Sequence, residues 1–345
     1  MDSRSAPSPV EDPRGQWEIL ASETGLSVPN LFLARDHTKD RVTKLIEALA
    51  AEEIEPELSI CVFGSWAREE LTPGSDDDWA LVVARPFAVY DAAVVSAMAI
   101  AQRHLGAGEQ APGSQGVFGV PFDVDGLVEH IGLDADTNTN LTRRMLLLLE
   151  SREVAGSVHM TAWRTVLERY MNYGIKDYRP PRFLLNDLLR YWRTICVDFE
   201  GKHKDTQGDD PKWVSRNAKL RTSRKLLFAG GLIPILLCHL HEREQMPGFL
   251  EKWLTAPPLD RLSAAFRWAE AQSEGARALQ AYDRWLAIQL DEGARAELKA
   301  LRHDTRRESQ LFQEVANIGH QFERSVLALL FETRLGPLSQ PYLVF

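Results

Sequence analysis

The sequence predicts an α+β chain: a small mixed-sheet domain followed by an all-helical domain. Three observations carry the prediction. Short apolar, β-prone runs bounded by turn residues occur only before about residue 130. Beyond about residue 140 the apolar residues fall at helical spacing instead. Between the first two apolar runs lies "GSWAREELTPGSDDD", a Gly-Ser turn followed by three adjacent aspartates at the mouth of a strand.

In chain order, residues 1–16 are rich in Ser, Pro and charge and read as a disordered tail. "RDHTKDRVTKLIEALAAEE" sets Val42, Leu45, Ile46 and Leu49 at helical spacing, and Glu55-Pro56 closes it. "LSICVFG" is a strand, "SWAREEL" a short helix or turn, "TPGS" a loop and "DWALVVA" a second strand. Phe87 to about Leu105 is an Ala-rich helix. "GVFGVPFDVDGLVE" is a third strand region, with Asp123 and Asp125 in alternation. Long amphipathic helices follow, one over "FLLNDLLRYWRTICVDF" and one from about Arg306 to Arg334. The expected division is a tail (1–16), a catalytic domain (17–140), a helical domain (141–335) and an extended, proline-broken C-terminal tail (336–345).

The chain has 345 residues and a net charge of -9, with 44% hydrophobic and 26% charged residues, as a globular protein does. An acidic chain does not coat duplex DNA through bulk charge, so contact with nucleotides needs a local basic patch or a bound metal. Cys61, Cys196 and Cys238 are far apart and odd in number, which fits a reducing cytoplasm without disulfides. The N-terminus lacks the apolar core of a signal peptide. "LLFAGGLIPILLCHL" is too short and too interrupted to span a bilayer, so no direct membrane insertion is expected. Walker, Rossmann and G-x-S-x-G patterns are absent.

The aspartates carry the chemistry. Along extended backbone Asp76 and Asp78 face one side and Asp77 the other. Two carboxylates on one face repel unless a cation lies between them, and Mg²⁺ or Mn²⁺ is the hard cation that oxygen ligands suit. A third acid from a neighbouring strand, Asp123 or Asp125, would complete a two-metal site for in-line displacement and favour deprotonation of an acceptor hydroxyl. Gly64 lets backbone approach a ligand closely, and Ser65 opens a short helix whose N–H groups suit phosphate oxygens. Arg68, one turn on, reaches for the same phosphates. Together these describe a nucleoside triphosphate site.

"FGSWAREELTPGSDDDWALV" resembles the signature of the DNA polymerase β-type nucleotidyltransferase superfamily: an apolar residue, Gly-Ser, a gap of about ten, then acidic-x-acidic in a strand. Gly64, Ser65, Asp76 and Asp78 fall on that pattern. The resemblance covers about a third of the chain. It implies a polymerase β-like fold with a helical partner domain, Mg²⁺ or Mn²⁺ as cofactor, and transfer of nucleotides from (d)NTP to a hydroxyl with release of pyrophosphate. It also implies a third acid on a later strand. Asp123, flanked by Phe122 and Val124, is favoured over Asp125, which precedes Gly126.

"PKWVSRNAKLRTSRK" (211–225) holds six basic residues and no acid. On a helix, Lys212, Arg216, Lys219 and Ser223 point roughly one way, either toward a triphosphate or oligonucleotide or as a solvated face paired with acids elsewhere. The resemblance casts Lys219 and Ser223 as a triphosphate clamp. In domain order, size and a tyrosine near the C-terminus, Tyr342, the chain is also similar to the nucleotidyltransferase of the Hailong anti-phage defence systems. That likeness implies a short single-stranded DNA product primed by Tyr342 and acting on a membrane effector protein; the alternative is that Tyr342 and its neighbours pack as an apolar anchor. Two other readings stay open: transfer to a protein, a tRNA end or a small molecule, and a nucleotidyltransferase-like antitoxin that only binds.

Overall fold

The computed structural model describes residues 8–106, 117–205, 210 and 212–343. The chain is α+β, with a small mixed four-stranded sheet and a mostly helical C-terminal part. Two compact units divide it: residues 34–175 with 181–187, and the remainder.

The first unit holds the sheet. Strand β1 (Leu58–Phe63) pairs antiparallel with β2 (Trp79–Val83) from Leu58↔Val83 to Val62↔Trp79. Strand β3 (Pro121–Asp123) runs parallel to β2, and β4 (Ser151–Gly156) antiparallel to β1, giving the order β3-β2-β1-β4. Every residue of β1 and β2 is buried, as expected of central strands covered on both faces. Leu58, Ile60, Val62, Trp79, Leu81 and Val83 join one core with side chains of α2 (Pro29–Leu49) and α3 (Ala92–His104). Asp91 caps α3, accepting from the N–H groups of Ala93 and Val94.

Strand β4 lies in the region where only helices are expected. Its sequence, SREVAG, sets two adjacent charges before Val154, its one buried residue, so it lacks the apolar run by which the other strands are recognised. The Ser59 hydroxyl fastens it, donating to Glu153 at 2.5 Å and accepting the Val158 N–H at 2.7 Å. Helices α4 (Val124–Val128), α5 (Asn138–Leu149) and α6 (His159–Met171) complete this unit, which therefore extends past the expected boundary at residue 140.

A buried cation ties those helices together. Arg144 of α5 is fully buried. It donates to both oxygens of Asp136 (2.8 and 2.7 Å), to the Leu127 carbonyl (2.9 Å), to the Tyr170 hydroxyl (3.0 Å) and to Asp187 (3.0 Å). These bonds hold the guanidinium well above its usual pKa, against the opposing effect of burial. Asp187 lies in the opening turns of α7 (Arg182–Asp205).

The second unit is helical: α1 (Gln16–Glu23), α8 (Trp213–Arg221), α9 (Ser223–Leu237), α10 (Met246–Leu254), α11 (Pro258–Trp268), α12 (Gln272–Leu290), α13 (Glu292–Ala300), α14 (Gln310–Glu332) and α15 (Gly336–Leu343), with the later part of α7. Buried carboxylates satisfy backbone donors here: Asp260 accepts from Trp17, and Asp283 from Asn30 and Leu31. By length and composition the helical stretch Trp213–Leu240 could cross a membrane, where the sequence suggests too short a run; most of it is buried in the protein.

Both expected tails need correction. Residues 1–7 lie outside the described residues, but within 8–15 Pro9 and Pro13 are buried, and the Val10 carbonyl accepts from Trp253 Nε1 at 3.0 Å. Residues 336–343 form α15 rather than an extended tail. Pro337 occupies its first turn, where a missing N–H costs little, and the Ser339 side chain is buried.

Replacing Arg144 by Met leaves Asp136, Tyr170 and Asp187 facing a void of charge. Urea unfolding is expected to show a loss of about 3–5 kcal/mol; a loss below about 1 kcal/mol would mean the network is incidental.

Candidate active site

The site begins where β1 ends. The β1–β2 ladder continues past its last paired strand residues, because the Phe63 N–H donates to the Asp78 carbonyl at 2.8 Å. Gly64 then turns the chain in a left-handed conformation (φ +61°). A Cβ there would lie 3.0 Å from Asp78 Oδ2, so the carboxylate occupies room that only glycine leaves.

After Gly64 the chain makes a series of tight turns, the second of the two alternatives that SWAREEL offers, so Ser65 does not open a helix. The Gly64 carbonyl takes the N–H groups of both Ala67 and Arg68, and the Ser65 carbonyl that of Glu70. The turns leave the N–H groups of Ser65 and Trp66 outside this bonding among the described residues. Ser65 is half-buried. The donors this stretch offers are thus a turn's amides and a hydroxyl rather than a helix N-terminus.

The three aspartates have different surroundings. Asp76 is exposed and Asp78 half-buried, while Asp77 is buried. Asp77 accepts from Trp66 Nε1 (3.1 Å) and from the Gly106 N–H (3.0 Å), and Trp66 is itself buried beneath the Arg41 guanidinium. Asp77 therefore anchors the loop from inside. Buried Thr38 of α2 adds a second anchor, its hydroxyl accepting the Leu71 N–H at 2.7 Å. Thr38 continues the buried stripe of Val42, Leu45 and Leu49, and that periodicity was its only sequence signal.

Arg68 does not reach out for phosphate. Its guanidinium is clamped by the buried carboxylates of Glu70 and Glu150. It braces the turns against the residue preceding β4.

The third acid does not converge either. Asp123 pairs in register with Val83, five residues beyond Asp78 along β2. At roughly 3.3 Å per residue that is about 16 Å away. Its carboxylate caps α4, accepting the Gly126 N–H at 2.7 Å. It also acts on Arg143, whose pKa burial lowers and Asp123 raises. Asp125 lies exposed in α4, not in strand alternation with Asp123, because the strand ends at Asp123. At the Asp78 end of the sheet, β3's approach is made by Gly119, whose N–H donates to the Trp79 carbonyl at 2.7 Å, and by Phe118, whose ring lies 5.5 Å from that of Phe63. Among the described residues no group of three or more His, Cys, Asp or Glu side chains gathers as a metal site. Asp76 and Asp78 alone suit a single Mg²⁺ or Mn²⁺ that completes its shell with water and phosphate oxygens, a common arrangement for Mg²⁺.

In the helical unit, Lys219 is exposed on α8, but Ser223 is buried and accepts from Trp285 Nε1 at 3.1 Å. The helix breaks at Thr222 (φ -121°, ψ -94°), so the two residues do not share a face as a continuous helix would have it. The basic stretch is also partly neutralised: Arg216 pairs with Asp210 and Lys225 with Glu323. Tyr342 sits in α15 with its hydroxyl 3.2 Å from His239 Nε2.

Residues 29–106 match the family described as "Putative nucleotidyltransferase DUF294". That span contains β1, the Gly64-Ser65 turn, the three aspartates, β2 and α3, and it ends before β3. No curated protein matches the chain. The similarity supports a nucleotidyltransferase-type domain over the stretch that builds the site.

Proposed function

We propose that the protein is a metal-dependent nucleotidyltransferase that moves a nucleotide from a (d)NTP to a hydroxyl and releases pyrophosphate. One observation carries the reading: Gly64 is held in a left-handed turn against the Asp78 carboxylate, with exposed Asp76 two residues away. Anion-binding amides and cation-binding carboxylates thereby meet at one loop pair, as a triphosphate with its divalent ion requires.

In this reading Asp76 and Asp78 would hold one Mg²⁺ or Mn²⁺ together with the phosphates. When bound, the ion neutralises charge building on the phosphates. The Ser65 hydroxyl and the amides of Ser65 and Trp66 donate to phosphate oxygens. Asp77, Thr38 and Arg68 keep the two loops in place without touching substrate. The acceptor oxygen attacks the α-phosphorus, the bond to the bridging oxygen breaks, and pyrophosphate leaves with the electron pair. Asp123 stands too far along the sheet to take the acceptor proton, which passes to solvent.

Tyr342 is not assigned the acceptor role, because its hydroxyl is engaged with His239 in a helix. A short single-stranded DNA signal in anti-phage defence, acting on a membrane effector, remains the setting that the resemblance implies. The product decides between it and a protein, tRNA or small-molecule acceptor.

Incubation with each labelled triphosphate and Mg²⁺ is expected to release pyrophosphate. Asp76→Asn with Asp78→Asn should cut the rate by on the order of a thousandfold, some 4 kcal/mol of barrier. Undiminished release by the double variant would contradict the assignment. A protein that binds its partner equally well with or without these aspartates would instead be a binding module.

Gly64→Ala tests the close approach. The new Cβ displaces Asp78 and strains a left-handed backbone, so the rate should fall by about a hundredfold, while stability falls by only about 1–2 kcal/mol. An active Gly64→Ala enzyme would show that the contact is not required.

A further inference from the structure

Helix α2 brings a cation to the turns that follow Gly64. The Arg41 guanidinium carbon lies 5.2 Å from the centre of the Trp66 ring, and Arg41 is half-buried. Among the described residues the structure gives this guanidinium no ion pair and no hydrogen bond. The acids beside it on α2 have other partners: Asp36 pairs with Arg35 at 3.5 Å and Asp40 with Lys44 at 2.7 Å. So do the acids of the turns, where Glu69 pairs with Arg152 at 3.6 Å and Glu70 with Arg68. Asp77 is taken by Trp66 Nε1 and the Gly106 N–H. His37, one turn before Arg41, adds no counter-charge; burial first, then Arg41, lowers its pKa.

A charge partly withdrawn from water without a counter-charge costs free energy, which an arriving anion recovers. A guanidinium fork also matches phosphate oxygens in pairs. The turn has two ends: Asp78 lies against Gly64, and Arg41 against Trp66. The Trp66 ring is close to its own backbone, which keeps the guanidinium within about 10 Å of the Trp66 amide. A phosphate chain laid along the turn covers a distance of that order. We propose that Arg41 binds the β- and γ-phosphates of the nucleoside triphosphate, the part that leaves as pyrophosphate. This rests on the transferase reading above and adds a residue to it. Asp76 and Asp78 suit a single ion, and Arg41 supplies the second positive charge. As the bond from the α-phosphorus to the bridging oxygen breaks, the electron pair goes to pyrophosphate. Arg41 stays protonated and donates hydrogen bonds to its oxygens.

The test uses the full-length chain, Mg²⁺ and inorganic pyrophosphate, with affinity read by calorimetry. Arg41→Gln is expected to weaken binding by on the order of thirtyfold. Arg41→Lys keeps the charge without the fork and should weaken it by on the order of fivefold. A second measurement needs no variant: phenylglyoxal modification of Arg41 in the wild-type chain, read by peptide mass spectrometry. Saturating pyrophosphate should slow it by on the order of tenfold. No binding by the wild-type chain, equal affinity in Arg41→Gln, or modification of Arg41 unslowed by pyrophosphate overturns the proposal. None of these bears on whether labelled triphosphates release pyrophosphate. Conversely, binding that needs Arg41 in a chain releasing no pyrophosphate would keep this anion site and remove the transferase.

Discussion

The site depends on one backbone hydrogen bond, from the Phe63 N–H to the Asp78 carbonyl. It carries the β1–β2 pairing one step past the Val62↔Trp79 pair and brings the Gly64 turn up to the aspartates. Antiparallel register pairs Leu58↔Val83 to Val62↔Trp79, and a slip of one residue would exchange the side chains packed on the two covered faces. Burial of the strands thus sets the position of the polar loops. The chemistry at the loop pair follows from packing that involves none of its polar atoms.

Three consecutive acids are tolerable because they divide the work. Asp77 points inward and spends its charge on the Trp66 indole and a backbone amide. Asp76 and Asp78 stay toward solvent, where their mutual repulsion is partly screened and a cation can relieve the rest. Behind them, Arg68 between Glu70 and Glu150, and Arg144 among Asp136, Asp187 and Tyr170, are charged groups that build the scaffold. Buried cations of this kind define which arrangement is allowed more than they add to net stability.

Much of this was legible in the sequence. The apolar runs marked β1 and β2, helical spacing marked α2, α3 and α14, and Gly64, Ser65, Asp76 and Asp78 stood out by type and spacing. What escaped depends on long-range partners. Strand β4 is polar because it is an edge strand held through Glu153. Arg68 read as a phosphate ligand because Glu150, its buried partner, is 82 residues away. Asp123 read as a third ligand because strand alternation gives side-chain direction but not the register of β3 on β2. Ser223 read as sharing a face with Lys219 because nothing in "KLRTSRK" announces the helix break at Thr222.

The central claim is that Asp76 and Asp78 make the cation site by themselves. The most direct measurement is Mn²⁺ binding by electron paramagnetic resonance in the presence of a non-hydrolysable triphosphate analogue, compared between the wild-type chain, Asp78→Asn and Asp123→Asn. The account predicts one protein-bound ion, lost in Asp78→Asn and retained in Asp123→Asn. A spin-coupled ion pair, or an ion lost in Asp123→Asn, would contradict it.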